Sequence, residues 1–452
     1  MSLSEKLIYA FESEENFKDQ LKVIEGSSTK KKISVGEKAL NQFFSKLDAK
    51  DILNRQTNSQ LIEAHPLYIA PPTNPISEKK FGWNRGITMK LETLIRGRWL
   101  AWFNIINKGR LDPSDNVPDC PFSDFEDKDS VNKMLEKCMN HAYAEGKRAE
   151  DFLDWVGYSL GIAWFNRKPR ISDKLWSKFN EEFDITLMLM YPSDYLSHFL
   201  SEHGAKGLAG YFPTPINITQ MMNKILEGDD NHHQRIQSVF EPTAGAGAMT
   251  LPSNSLNIIS NDLNPLMVKA AAIQYFLYLP WALYVPQPVF GLHFSEEEQR
   301  MNTYFEFNTN TRLYCGDALI GEFTAPKDIF NENSVHIDVY VHPLDLSKRE
   351  IFKYENEMST SWDTLANEMK WEITKAQCRE FSFSQVLSNP PFGKMNKFTK
   401  ERIREIEEAN IMFLKEREEQ LKNNPPHPAV ERIKEEVKIK LNEHDGQFAF
   451  VL

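Results

Sequence analysis

Residues 238 to 252, SVFEPTAGAGAMTLP, constrain the fold more than any other stretch, because they run from a short apolar strand pattern through a glycine-rich turn into a helix. Gly245 and Gly247 permit backbone conformations and a close ligand approach that a β-carbon would block. Glu241 stands at the carboxyl end of the strand pattern, the edge at which open α/β sheets bind ligands. A G-A-G turn also serves purely structural duties, so the surrounding pattern decides its meaning. Short apolar runs at 238 to 240, 257 to 260, 311 to 314, 384 to 387 and 447 to 452 read as buried strands, with helical stretches between several of them. That alternation predicts an α/β fold with a largely parallel sheet.

A chain of 452 residues exceeds the size at which single cores stop growing, so two structural units are expected. Residues 1 to 200 read as an α-helical domain, with amphipathic spacing over Leu91 to Ile106 and over Asp173 to Met190. The Trp-rich stretch RWLAWFNIINKGR, residues 98 to 110, reads as ordinary core rather than as a nucleic-acid surface. The turn-rich SEHGAKGLAGYFPTPIN separates this half from an α/β domain over residues 201 to 452. Two inserts interrupt that domain, at about 323 to 383 and 393 to 444. In the first, the alternation of VHIDVYVHPL suggests an added strand or hairpin, followed by a helical stretch near Trp362 to Trp371. The second is dense in Lys, Arg and Glu, and NNPPHP divides it into two helices whose charge reads as a solvated face.

Composition narrows the function classes. Hydrophobic residues at 41% and aromatics at 12% describe a folded globular protein. The net charge of −11 argues against a surface that coats nucleic acid indiscriminately, so strong duplex affinity would need another domain or subunit. Cys120, Cys138, Cys315 and Cys378 are widely spaced, which suggests neither a metal site nor a disulfide framework and fits a reducing compartment. With no signal-peptide pattern and no stretch long enough to span a bilayer, the expectation is a soluble cytoplasmic protein without a membrane partner.

Two acids follow the strand pattern. IISNDLNP delivers Asp262 about where a second strand offers an acid to a ribose, and RLYCGDAL brings Asp317 to the same edge, where it can accept a hydrogen bond from an adenine amino group. Either acid alone fits a helix N-cap better; their joint spacing favours a nucleoside cofactor. The strand pattern SQVLS then ends at Asn389-Pro390-Pro391-Phe392. An aromatic amine is a poor nucleophile because its lone pair is delocalised, and acceptors on its N–H bonds favour the rehybridised nitrogen. The Asn389 side-chain oxygen and the Pro390 carbonyl can accept those bonds, both prolines stiffen the turn, and Phe392 can stack on a flipped base. The competing reading is a rigid turn with Phe392 in the core.

The order EPTAGAGAM, NDLNP, GDAL, NPPF resembles that of the S-adenosylmethionine (AdoMet)-dependent amino-methyltransferases, particularly the DNA adenine-N6 family, over residues 207 to 452. GLAGYFPTPINITQMM is similar to that family's cofactor-side motif, placed upstream of the glycine-rich turn in the γ arrangement of type I modification subunits and many type II enzymes. The resemblance implies a Rossmann-like methyltransferase sheet and AdoMet as cofactor. It implies that Tyr211, Phe212, Thr214 and Pro215 border the methionine part, near Glu241, Pro242 and the Gly245 and Gly247 backbone. Asp262 would bind the ribose, Asp317 the cofactor adenine, Asn389 and Pro390 the target amine, and Phe392 the flipped base, with Pro391 stiffening the turn. The implied reaction is in-line displacement at the sulfonium methyl, with adenine in DNA as acceptor, no metal and no covalent enzyme intermediate.

GQFAFVL stands where the family's fifth strand would be, so the sheet is expected to be incomplete at the carboxyl end, with a carboxyl-terminal half or a second subunit supplying target recognition. Two alternatives remain open: methylation of RNA or of protein glutamine, whose enzymes share the N-P-P-[YF] turn, and a cofactor-binding or DNA-binding subunit inactive without its partner.

Overall fold

A computed structural model describes residues 2–27, 34–108, 114–122, 128–204, 213–227, 235, 238–289, 304–310, 312–318, 322–326, 336–340, 385, 386, 388 and scattered positions from 400 to 419. It is a mixed α/β protein that divides into two compact units. The first comprises Met1–Cys315, Thr324–Ile337 and Gln385–Gly393, and the second Gly316–Phe323, Asp338–Ser384 and Lys394–Leu452.

The sheet uses β1 (Ser238–Glu241), β2 (Asn257–Asp262), β5 (Leu313–Cys315), β6 (Glu322–Pro326), β7 (His336–Tyr340) and β8 (Gln385–Val386) in the order β7-β6-β5-β2-β1-β8. β8, β1, β2 and β5 run parallel, with Phe240 opposite Val386, Glu241 opposite Ser260 and Asp262 opposite Cys315. β6 lies antiparallel to β5. Between β2 and β5, β3 (Val285–Val289) and β4 (Tyr304–Asn310) pair as a separate antiparallel ribbon, which the sequence reading had not expected. The strands at 238, 257, 313, 336 and 385 fall where their apolar or alternating runs placed them. The runs at 447 to 452 and 362 to 371 lie outside the described residues.

The helix Pro265–Tyr278, PLMVKAAAIQYFLY, explains how the sheet is covered. Apart from Lys269 and Gln274 it is apolar on every face from Leu266 on, and it is buried over Ala270 to Tyr278, the pattern of a helix enclosed on all sides. One side packs on β2 and β5 and another on the helix Ala149–Leu160. Trp99 and Trp102, both fully buried, donate their indole N–H groups to the carbonyls of Phe276 at 2.9 Å and Tyr284 at 2.7 Å. Tyr278 Oη donates to the Met188 carbonyl at 2.9 Å. Each bond removes a polar group that burial would otherwise leave unsatisfied, at roughly 1–3 kcal/mol apiece. The Trp-rich stretch is therefore core, as its pattern implied. These contacts hold the helices before residue 200 and the central strands in one compact unit, where the sequence reading had divided them near residue 200.

Two long amphipathic stretches are each broken in two. Leu91 to Ile106 falls in the helices Arg85–Ile95 and Arg98–Lys108, separated at Gly97, whose φ of 88° lies in the left-handed region. The Glu92 side chain accepts from the Arg98 and Trp99 amides at 3.0 and 3.1 Å and caps the second helix. Asp173 to Met190 becomes Asp173–Glu182 and Ile185–Met190, with the Asp184 carboxylate accepting from the Thr186 amide at 2.9 Å as N-cap.

Of the second unit, helical residues include Lys400, Glu401, Arg404 and Glu408, with an Arg404–Glu408 ion pair at 3.5 Å one turn apart. Among the described residues no helix is long and apolar enough to cross a membrane.

Candidate functional site

Parallel pairing puts the carboxyl ends of β1, β2, β5 and β8 on one edge, and the glycine-rich turn crosses it. The Ala244 amide donates to the Asn261 carbonyl and the Gly247 amide to the Ala244 carbonyl, both at 2.8 Å. Gly245 and Gly247 have φ values of 56° and 97°, a backbone region in which L side chains are strained. A β-carbon at Gly247 would also lie 2.7 Å from the Tyr275 ring, which is pinned by hydrogen bonds between its hydroxyl and those of Thr250 at 2.6 Å and Ser260 at 2.8 Å.

Asp262 closes this turn. One carboxylate oxygen accepts from the Gly245 amide and the other from the Asn264 amide, each at 2.8 Å. Burial raises its pKa, and the two amides oppose that rise. The N-cap of the following helix is Asn264, whose side chain accepts from Leu266 at 2.9 Å, so Asp262 is free of the capping role that the sequence left open. Each carboxylate oxygen keeps a lone pair for a hydroxyl or amine donor.

Glu241 is fully buried at the end of β1. Its Oε1 accepts from the Thr243 amide at 3.0 Å and the Thr243 hydroxyl at 3.1 Å, and its Oε2 has no hydrogen-bond partner among the described residues. Burial pushes its pKa up to about 8, the Thr243 bonds oppose the shift, and the Asp262 charge adds to it. Near neutral pH this is a largely protonated carboxyl that an arriving cation would ionise. The Pro242 carbonyl is occupied by the Asn261 side-chain amide at 3.1 Å.

Three groups missed by the sequence reading hold the turn. Gln274 donates to the Ala246 carbonyl and to the Asp194 carboxylate, both at 2.8 Å. Its signal was available: a fully buried glutamine in an otherwise apolar helix must find partners. Tyr275 was legible only as core. Thr243 is the third, and its hydroxyl lies 2.9 Å from that of Ser388, two residues past β8.

Thr214 and Pro215 immediately precede the helix Ile216–Glu227, with the Pro215 carbonyl accepting from Ile218 at 2.9 Å. Asn223 of that helix donates to the Met249 carbonyl at 2.8 Å, tying the helix to the segment after the glycine-rich turn. Asp317, partly buried, follows β5 by two residues and belongs to the second unit. Tyr211, Phe212, Asn389, Pro390, Pro391 and Phe392 lie outside the described residues. The structure thus brings together Glu241, Pro242, Gly245, Gly247 and Asp262.

Comparison with protein-family models, with curated proteins and with solved structures finds no match to this chain.

Proposed function

We propose that this chain transfers a methyl group from AdoMet to the N6 amino group of adenine in DNA. The observation that carries the reading is the Thr243–Ser388 hydrogen bond at 2.9 Å. It ties the residue immediately before Asn389-Pro390-Pro391-Phe392 to the glycine-rich turn, at the strand edge where open α/β sheets place ligands.

The buried polar groups fit a nucleoside cofactor with a charged amino-acid arm. Glu241 Oε2, without a partner among the described residues, would receive the ammonium, and the spare lone pairs of Asp262 the ribose hydroxyls. The backbone of Gly245 and Gly247 would let the cofactor approach without a β-carbon in the way. Bound AdoMet would supply an electrophilic methyl on a sulfonium. The Asn389 amide oxygen and the Pro390 carbonyl would accept the two N–H bonds of the adenine amine, keep its lone pair out of the ring and aim it at the methyl group. Stacking on Phe392 would offset part of the few kcal/mol needed to unstack the base. The Rossmann-like methyltransferase assignment of the sheet and a partner that supplies target recognition belong to the same proposal.

The test is transfer of radiolabelled methyl to unmethylated DNA, RNA and protein, followed by digestion to nucleosides and amino acids. Label in N6-methyladenine from DNA is the expected result. Label confined to RNA or protein overturns the acceptor, and cofactor binding without transfer to any of them favours a subunit that acts only with a partner. Asn389→Ala should lower methyl transfer by about 10²- to 10³-fold and leave AdoMet affinity unchanged. Equal activity in both proteins would remove Asn389 from the chemistry.

A further inference from the structure

We propose that a cavity at the amino-terminal edge of the parallel sheet binds a small organic phosphate. The cavity has a volume of about 460 Å³, within the range of small-molecule sites. Arg98, Lys224 and Arg235 contribute to its lining together with Phe122, Leu251 and Trp281. Arg235 precedes β1, and its carbonyl accepts at 2.9 Å from the amide of Leu256, the residue before β2. The cavity therefore lies at the end of the sheet opposite Glu241 and Asp262, roughly 20 Å away along a six-residue strand at about 3.3 Å per residue. It is separate from the site proposed above and does not depend on that reading.

The charges point to the ligand class. Among the described residues none of the three cations forms an ion pair. Arg98 is buried, its guanidinium stands 4.6 Å over the Trp281 ring and is hydrogen-bonded to the Cys120 side chain, and its Nε has no hydrogen-bond partner among the described residues. The nearby Glu92 uses its oxygens on the Arg98 and Trp99 amides. Arg235 donates to two neutral acceptors, the Asp115 carbonyl at 2.5 Å and Asn116 Oδ1 at 3.4 Å. Lys224 is exposed, and Asp119 is the one carboxylate in the described lining, also exposed. Arg98 has Glu92 as its nearby carboxylate and Arg235 has only neutral acceptors, so an anion entering the cavity would meet three cations that keep attraction for it. Three separated cations suit a dianion with several acceptor oxygens better than a carboxylate, which offers one charge and two oxygens. Phe122, Leu251 and Trp281 supply apolar surface for an organic body, which free phosphate would leave uncovered.

Titration calorimetry on the full chain with phenyl phosphate, inorganic phosphate and phenol tests this, since none of the three carries a nucleoside. Phenyl phosphate should saturate one site per chain and bind more tightly than either of the others. Lys224→Ala and Arg235→Gln should each weaken it by about tenfold, the value of one charge-assisted contact. Asp262→Asn, at the other end of the sheet, should leave it unchanged. Melting curves matching the parent protein would show that the variants fold. Phenyl phosphate binding no tighter than inorganic phosphate, binding undiminished in both cation variants, or binding lost in Asp262→Asn would each overturn the assignment.

Discussion

At the carboxyl edge of the parallel sheet two acids, Glu241 and Asp262, are held by backbone amides of the turns that follow β1 and β2. At the amino edge the cations Arg98 and Arg235 line a cavity, and Arg235 donates to a backbone carbonyl. The two ends of one sheet therefore collect acids at one edge and bases at the other. The tight turns leaving β1 and β2 aim N–H groups at the acids, while at the amino edge the Arg235 guanidinium meets the Asp115 carbonyl in the segment between the helices Arg98–Lys108 and Lys128–Ala144. In each case the side chain first satisfies the backbone and keeps capacity for a ligand: a lone pair on each Asp262 oxygen and Glu241 Oε2 at one end, Arg98 Nε at the other.

The sharpest way to break this comparison is Gly247→Val. Its left-handed φ and the pinned Tyr275 ring leave the new side chain nowhere to go, so unfolding free energy should fall by about 3 kcal/mol. In protein that remains folded, AdoMet affinity should drop and phenyl phosphate affinity should hold. Denaturant titration and calorimetry check both, and a loss at both ends would show that the edges are not independent.

Glu241→Gln sharpens it through pH. A carboxyl whose folded pKa is raised to about 8 binds its proton more tightly in the native than in the unfolded chain. Its contribution to stability is complete below the unfolded value near 4.5 and is lost as pH rises to about 8. Across that window the parent protein should lose stability by up to about 1.4 kcal/mol per pH unit more steeply than the variant. Asp262, shifted in the same direction, leaves a residual slope in both. Identical slopes would mean that Glu241 is ionised in the native protein. The smallest effect is expected from Tyr275→Phe, which removes the hydroxyl joining Thr250 to Ser260 and should cost about 1–2 kcal/mol in denaturant titration, with the parallel sheet intact.

Much of the carboxyl edge was legible because its cause is local. A strand that ends in E-P-T-A-G-A-G needs left-handed backbone at its glycines, and Gly245 and Gly247 adopt it. The acid ending the next strand, Asp262, stands beside them and accepts from the Gly245 amide, a partner that no local pattern names. Gln274 was passed over although its polarity in an apolar helix marked it. The amino-edge cavity was invisible, since Arg98, Lys224 and Arg235 come from distant parts of the chain with no shared motif.

The sequence by itself determined the strand and glycine-rich turn at residues 238 to 252, though further turns follow where a helix was expected, together with the parallel sense of the strands and the burial of the Trp-rich stretch, because periodicity and backbone stereochemistry act over a few residues. Tertiary structure alone decided where the buried indoles bond. Trp99 reaches a carbonyl 177 residues away and Trp102 one 182 residues away, which join the helix Arg98–Lys108 to the helix Pro265–Tyr278 and to the residue before β3. It also decided that Gln274 steadies the glycine-rich turn. A buried donor must find an acceptor, but which acceptor it meets depends on how the elements pack, and no local pattern carries that information.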